Sequence, residues 1–440
     1  MTPKPGSAFD VPKLQRMTIT PMQWFAVLIG LSVPISVALD NVLLALVLLG
    51  GLFSLGSISR IVVSHPVARA AMLLFAALLV AMFYGATPLQ EAFAILGKYV
   101  DLMFIPIFIL LFSDVTVRHR ARFAFLAAMA ITLVLSYLLG LRLLEVQPWM
   151  AAFPIAHSPA DLANIPEAMS RVHDNPVIFH SHITQNNMMA FAVFLALLEV
   201  RDAATRAKQI AWGAFALLGV VNVLFMVQGR TGYMIMLALI GWFVWTSLAH
   251  HMRRRGRNWG WRQGALVSAA LVVTAFVAYH ASARLHDRVD LVVSEYQAWT
   301  PDHGKLTSTG QRMDFYSNTL HIVRDNALFG VGTGGFPAAF AQQTQGKDVL
   351  RTQNPHNEYL MISVQTGLIG LALLLNLFYT QWRCAPSLPT TFERDAARGL
   401  VLTYMVNCLF NSALLDHGDG LFFAFMTAVL FADLKVTRHG

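Results

Sequence analysis

The chain has 440 residues, of which 56% are hydrophobic and 13% charged, with a formal net charge of +8. Soluble proteins are about a quarter charged, so this composition excludes an ordinary soluble enzyme. The basic residues stand in short clusters between apolar runs rather than along one face, which reads as a set of topology signals and excludes a nucleic-acid surface. The two cysteines, Cys384 and Cys408, exclude a disulfide framework.

In chain order, apolar windows fall near 23–39, 42–56, 67–85, 92–112 and 122–141, then 187–200, 210–227, 232–248 and 264–279, and last 357–379, 399–411 and 420–434. Windows of this kind cross a hydrocarbon core of about 30 Å. They predict an all-α polytopic membrane protein of twelve transmembrane helices, a single membrane domain over 1–440. Lysines and arginines gather in alternate connections, including Arg253, Arg254, Arg255, Arg257 and Arg262. The positive-inside rule therefore places both termini in the cytoplasm. The basic start has further spans behind it and no small-residue cleavage site, so it is expected to stay uncleaved.

Two outer segments are too long for turns: 142–186, and a large loop over 280–356. The second contains a predicted helix. Ser308 and Gln311 resemble a capping box opening an amphipathic stretch with Phe315, Leu320, Ile322 and Val323. Such a helix would cover the outer end of the bundle.

Polar residues that bear on chemistry follow the same order. Lys98 and Asp101, at i and i+3 in the fourth span, are spaced to pair with one another, or Lys98 faces a lipid phosphate. His180 and His182, with His173 and Asp174, invite a metal reading. That set lacks the cysteines or spaced carboxylates that would complete a coordination shell, and histidines at i and i+2 face apart on a helix. No metal or cofactor is expected. Asn186 and Asn187, just beyond, instead suit hydrogen bonds to a polar ligand or the cap of the next span.

Arg230 stands in a very short outer connection, Val227-Gln228-Gly229-Arg230-Thr231-Gly232. A guanidinium at the membrane boundary either snorkels from a helix end or grips phosphate oxygens with its planar fork. Arg312 falls in the first turn of the predicted loop helix, as a phosphate ligand or as the partner of Asp314 or Asp302. The run Gly330-Val331-Gly332-Thr333-Gly334-Gly335 lacks the preceding strand and following Lys-Ser/Thr of a phosphate loop, so it reads as a tight turn. His356 follows Pro355 where the loop re-enters the membrane. It should project from the outer end of that helix, either as a base titrating near neutral pH or as a histidine bonded to loop carbonyls. Asp416 lies in the last outer connection, where it either orients Arg312 or His356 or is merely solvated.

Gln228-Gly229-Arg230-Thr231-Gly232, Gln311-Arg312, the Leu328–Gly334 turn and Pro355-His356-Asn357-Glu358-Tyr359-Leu360, in this order around a large outer loop, resemble the O-antigen ligase family. The resemblance is sharpest over 185–380, and O-antigen polymerases and pilin oligosaccharyltransferases share these motifs. It implies a glycosyltransferase of the bacterial inner membrane with a periplasmic active site. The donor it implies is O-antigen on undecaprenyl pyrophosphate, and the acceptor a sugar hydroxyl of lipid A-core. It further implies Arg230 and Arg312 on the pyrophosphate, His356 on the hydroxyl and Asp416 in support; Lys98, His180 and Asn187 are expected as further substrate contacts. Inversion by direct displacement, without metal, is expected, because no carboxylate nucleophile stands beside these motifs. A secondary transporter or lipid flippase is the rival reading. It would be expected to place broken helices and polar residues near the bilayer midplane, often in repeated halves.

Overall fold

The computed structural model describes residues 13–144, 173–256, 283–303 and 307–434, with positions 260, 262–265, 269 and 279–280 between them. The expectations for the two termini, for most of a span at 264–279 and for most of the segment 142–186 lie outside the described residues.

The described residues form helices and no strand. Seven helices are long and apolar enough to cross a membrane: Val37–Ser64, Leu89–Leu111, Val115–Gly140, His182–Asp202, Arg206–Met226, Arg230–Arg254 and Glu358–Ser387. Ile19–Ser32, Pro66–Ala81 and His417–Phe431 are apolar but shorter. Thr391–Phe410 is as long as a span but carries charges in its first two turns. Every expected span except 264–279 thus has a helix, with two differences. The second runs on to Ser64 through a 3-10 turn at Leu52–Ser54. The fourth tightens at Tyr99 and Val100, whose amides bond three residues back, to Leu96 and Gly97.

Helix starts are written locally. Ser181 caps His182–Asp202 by accepting from the Thr184 amide, Asp114 caps Val115–Gly140, and Thr390 with Glu393 forms a capping box for Thr391–Phe410. His182–Asp202 is apolar on all sides through its middle, so it sits inside the bundle, packed against Arg206–Val221, Arg230–Arg254 and Thr391–Phe410. Aromatic rings fill the centre. Phe422 stacks on Phe125 at 5.1 Å and meets Phe191 edge-on at 5.7 Å, and Phe425 meets Phe112 at 5.5 Å. Large aliphatic side chains such as Val63, Ile210 and Leu217 are exposed around the bundle, an arrangement suited to lipid contact.

Charged groups segregate by bundle end. At one end Arg118 pairs with Asp433 at 2.9 Å, Arg122 with Glu199 at 2.9 Å and Arg201 with Asp395 at 2.7 Å. The other end carries Arg230, the glycine-rich turn and the His356 loop.

One irregularity positions the loop. The helix Glu358–Cys384 is broken at Gly367, which has φ +65°. The freed carbonyls of Val364 and Gln365 accept the amides of Val331 and Gly332 at 2.7 and 3.0 Å, and the Leu368 amide bonds to Ala327. Thr333 reaches the Leu78 carbonyl at 2.7 Å. The glycine run is therefore a tight turn docked into a helix break, as expected from its lack of phosphate-loop context. The break was not foreseen, but its carbonyls are occupied by this chain's own backbone.

Candidate active site

Arg230 is the first residue of its helix, preceded by Gly229, where a Cβ would lie 2.6 Å from the Asn186 amide nitrogen. This close approach fixes the helix start against His182–Asp202. The guanidinium then reaches the large loop, where Nη1 donates to Thr309 Oγ1 at 3.2 Å.

The loop helix is Ser308–Asp325, capped by Thr307, whose hydroxyl accepts from the Gly310 amide at 3.0 Å. The expected capping box on Ser308 is thus displaced by one residue, because Thr307 rather than Ser308 has the extended backbone of an N-cap. Phe315 and Ile322 are buried and Leu320 is exposed. Arg312 lies one turn before Tyr316 on a face that closes a cavity of about 410 Å³. Arg230 and Arg312 share this cavity, whose other walls include Met234, Val292, Met313 and Phe410.

Neither arginine forms a salt bridge among the described residues. The partners considered for Arg312 are occupied elsewhere: Asp302 pairs with Lys347 at 3.3 Å, and Asp314 accepts from Trp299 at 2.8 Å. Burial lowers the proton affinity of the Arg312 guanidinium, the Tyr316 side chain opposes this, and repulsion from Arg230 adds to it. A cavity holding two cations without a carboxylate favours an anion with more than one negative charge.

His356 does not project from the helix as expected. The helix starts at Glu358 with Asn357 as its cap, and His356 sits two residues earlier with φ +54°. Its amide donates to Asn354 Oδ1 at 2.8 Å, and Ser412 donates to the same oxygen at 2.6 Å. The Tyr316 hydroxyl lies 3.2 Å from the carbonyl oxygens of His356 and of Leu409. The imidazole stacks on Phe315 with centroids 6.2 Å apart. The two bonds at His356 use backbone atoms, so the alternative of a ring tied to loop carbonyls is not realised: its nitrogens have no hydrogen bond among the described residues. Burial lowers its pKa below the ordinary histidine value, and Arg312 adds to this, so the ring favours its neutral, basic form.

The remaining candidates stand apart from this pair of arginines. Asp416 is exposed and caps the last helix, accepting from the Asp419 amide at 3.2 Å, with no salt bridge to Arg312 and no hydrogen bond to His356. His180 bonds to the Val33 carbonyl at 2.8 Å, and burial lowers its pKa. His173 bonds to the Leu139 carbonyl at 2.7 Å. Asn187 is buried and donates to Asp419, beside Thr184 at 3.2 Å from the same carboxylate. Lys98 is exposed and does not pair with Asp101. The tight turn between them brings Asp101 to His417 instead, at 3.3 Å. No group of three or more His, Cys, Asp or Glu side chains is placed to hold a metal among the described residues.

Sequence reasoning gave no role at the site to Tyr316, Asn354 or Glu358, and read Phe315 only as part of the apolar face of the loop helix. Tyr316 lies at i+4 from Arg312, which placed it on the same helix face. Glu358 is fully buried, accepting from Tyr99 at 3.0 Å and from the Leu414 amide at 2.8 Å, so it ties the loop's re-entry point to two other segments.

Residues 213–375 match the model of the O-antigen ligase family. That stretch is similar to the O-antigen ligase family. Arg230, Arg312 and His356 lie inside the matched stretch, whereas Lys98, His180, Asn187 and Asp416 lie outside it. An uncharacterized protein of Haemophilus influenzae is 25% identical over 156 residues, 33% of this chain, and that match spans 39% of the relative. The apolar helices and this likeness to O-antigen ligases fit a multi-pass membrane protein of the ligase or polymerase type.

Proposed function

We propose that the protein is a lipopolysaccharide O-antigen ligase of the bacterial inner membrane. It takes O-antigen from undecaprenyl pyrophosphate and joins it to a sugar hydroxyl of lipid A-core, on the periplasmic side. The observation that carries this reading is the cavity shared by Arg230 and Arg312, free of carboxylate partners and walled by apolar side chains. A pyrophosphate on a hydrocarbon tail has matching chemistry.

In the reaction the acceptor oxygen attacks the anomeric carbon while the carbon–oxygen bond to pyrophosphate breaks. The hydroxyl proton passes to an imidazole nitrogen of His356, and the leaving pyrophosphate keeps the bonding electron pair. Arg230 and Arg312 stabilise the charge that develops there. One displacement inverts the anomeric centre. Asp416, exposed at the same bundle end, is the second candidate proton acceptor. His180 and Asn187, bonded to the Val33 carbonyl and to Asp419, are held outside the shared cavity, and Lys98 faces lipid phosphate.

Purified protein reconstituted with lipid-linked O-antigen and two acceptors, lipid A-core and a second lipid-linked repeat, tests the proposal. Glycan transfer to lipid A-core supports it. Extension of the lipid-linked repeat alone would make the protein a polymerase, and gradient-driven substrate movement without transfer would make it a transporter.

A further inference from the structure

A second polar cavity, of about 330 Å³, lies between the helices Arg230–Arg254 and Thr391–Phe410. Arg253 lines it, 23 residues along the helix from Arg230. At helical rise this is about 35 Å from the candidate active site, comparable to a hydrocarbon core. The cavity therefore belongs to the other end of the bundle.

Its lining is graded. Arg253 and His250 stand in the last two turns of Arg230–Arg254, and Trp242 and Trp245 lie two to three turns deeper. Arg394 stands in the first turn of Thr391–Phe410, where its Nε and Nη2 donate to the Leu388 and Pro389 carbonyls and Nη1 is left for a ligand. Trp242 is 11 residues from Arg253, so the groove extends about 16 Å along the helix. Arg398 is held at the deep end, its guanidinium carbon 5.0 Å from the Trp382 ring centre and 6.0 Å from that of Trp242. Its Nε is buried with no hydrogen-bond partner among the described residues. The acidic residue of the lining, Asp395, is neutralised by Arg201 at 2.7 Å. Thr391, Arg394 and Arg398 follow one face of their helix from its first residue, so the field of the helix N-terminus adds to the positive charge.

We propose that this groove binds the headgroup of an anionic phospholipid. The phosphate lies among Arg253, His250 and Arg394, and the glycerol and first acyl carbons lie along Trp242 and Trp245. Free phosphate has the same charge, but nothing to place against the tryptophans. Basic pockets between membrane helices have the chemistry to hold such headgroups.

The experiment uses the full chain in neutral detergent, with native mass spectrometry reading retained ligand after addition of phosphatidylglycerol, phosphatidylcholine of the same chains, or inorganic phosphate. Wild type is expected to retain phosphatidylglycerol over phosphatidylcholine. Arg253→Gln with Arg394→Gln should lower the apparent affinity for phosphatidylglycerol about tenfold or more. The matched pair Arg60→Gln with Arg69→Gln, exposed residues away from the groove, removes the same charge and should leave retention unchanged. Arg253→Gln alone, at an exposed site, gives the same comparison if the double variant fails to fold. Equal retention in the groove and control variants would overturn the proposal. So would equal retention of the two lipids, and inorganic phosphate competing as well as the lipid would assign the groove to a free anion instead.

Discussion

Tyr316 Oη lies 3.2 Å from the carbonyl oxygen of His356, one turn along the helix from Arg312. With Asn354 Oδ1 on the His356 amide, this bond holds a left-handed backbone that a non-glycine residue adopts at a cost of about 1 kcal/mol or more. The same helix thus presents the proposed phosphate ligand Arg312 and positions the proposed base, leaving both imidazole nitrogens for substrate.

Tyr316→Phe should therefore slow single-turnover transfer more than it weakens donor binding. Losing one hydrogen bond of about 1 kcal/mol corresponds to roughly fivefold in rate. Stopped single-turnover measurements with donor titration check this. A variant that binds donor fivefold more weakly at an unchanged rate would make Tyr316 a substrate contact and not a positioning residue.

Arg230→Lys and Arg312→Lys should each cost about a hundredfold in transfer rate, near 3 kcal/mol, while the protein still inserts and folds. An ammonium is a point charge and does not reproduce the two-pronged grip of a guanidinium on pyrophosphate. Turnover near wild type in both variants would leave only the charge of these residues in the mechanism.

Gly330 and Gly367 cross backbone to backbone, both at positive φ, and a Cβ on Gly330 would lie 2.4 Å from the Val364 carbonyl oxygen. Gly330→Ala should lower the thermal midpoint and release the loop to protease. Gly56→Ala, where a Cβ meets nothing within 4 Å, should leave the midpoint unchanged or slightly raised. Equal midpoints for wild type and Gly330→Ala would show that the turn tolerates a side chain.

Transfer should persist in excess chelator, since the candidate charge on the pyrophosphate comes from Arg230 and Arg312. Activity lost in EDTA and restored by a divalent cation would contradict this. His180 and His182 would then be examined as ligands.

The helices were legible in the sequence because apolar length acts locally: the windows at 122–141 and 210–227 fall on Val115–Gly140 and Arg206–Met226, whereas the cap read at Ser308 stands one residue earlier, at Thr307. The sequence brought Arg230 and Arg312 forward as candidates with bland alternatives beside them, and the structure adds that both line one cavity. What was hidden is non-local. The break at Gly367 exists because residues 331 and 332 supply the missing amides, and no pattern around 367 encodes that partner. The Asp101–His417 pair spans most of the chain and displaced the nearer Lys98. His356 lies two residues before the helix instead of at its outer end, because Pro355 marks a helix start only to within a few residues.

The central claim is that an uncommitted His356 imidazole takes the acceptor proton beside two pyrophosphate-binding arginines, and single-turnover transfer against pH tests it most directly. Its pKa is pushed below the ordinary value near 6.5. The protonated, inactive form therefore gains population only as pH falls below that value, and the wild-type rate should hold through neutrality and drop on that acid side. His356→Gln should be slower by about 10² to 10⁴ and lose this acid limb. A His356→Gln protein that transfers at the wild-type rate with the wild-type pH profile would contradict the account and move the base to another residue, with Asp416 next in line.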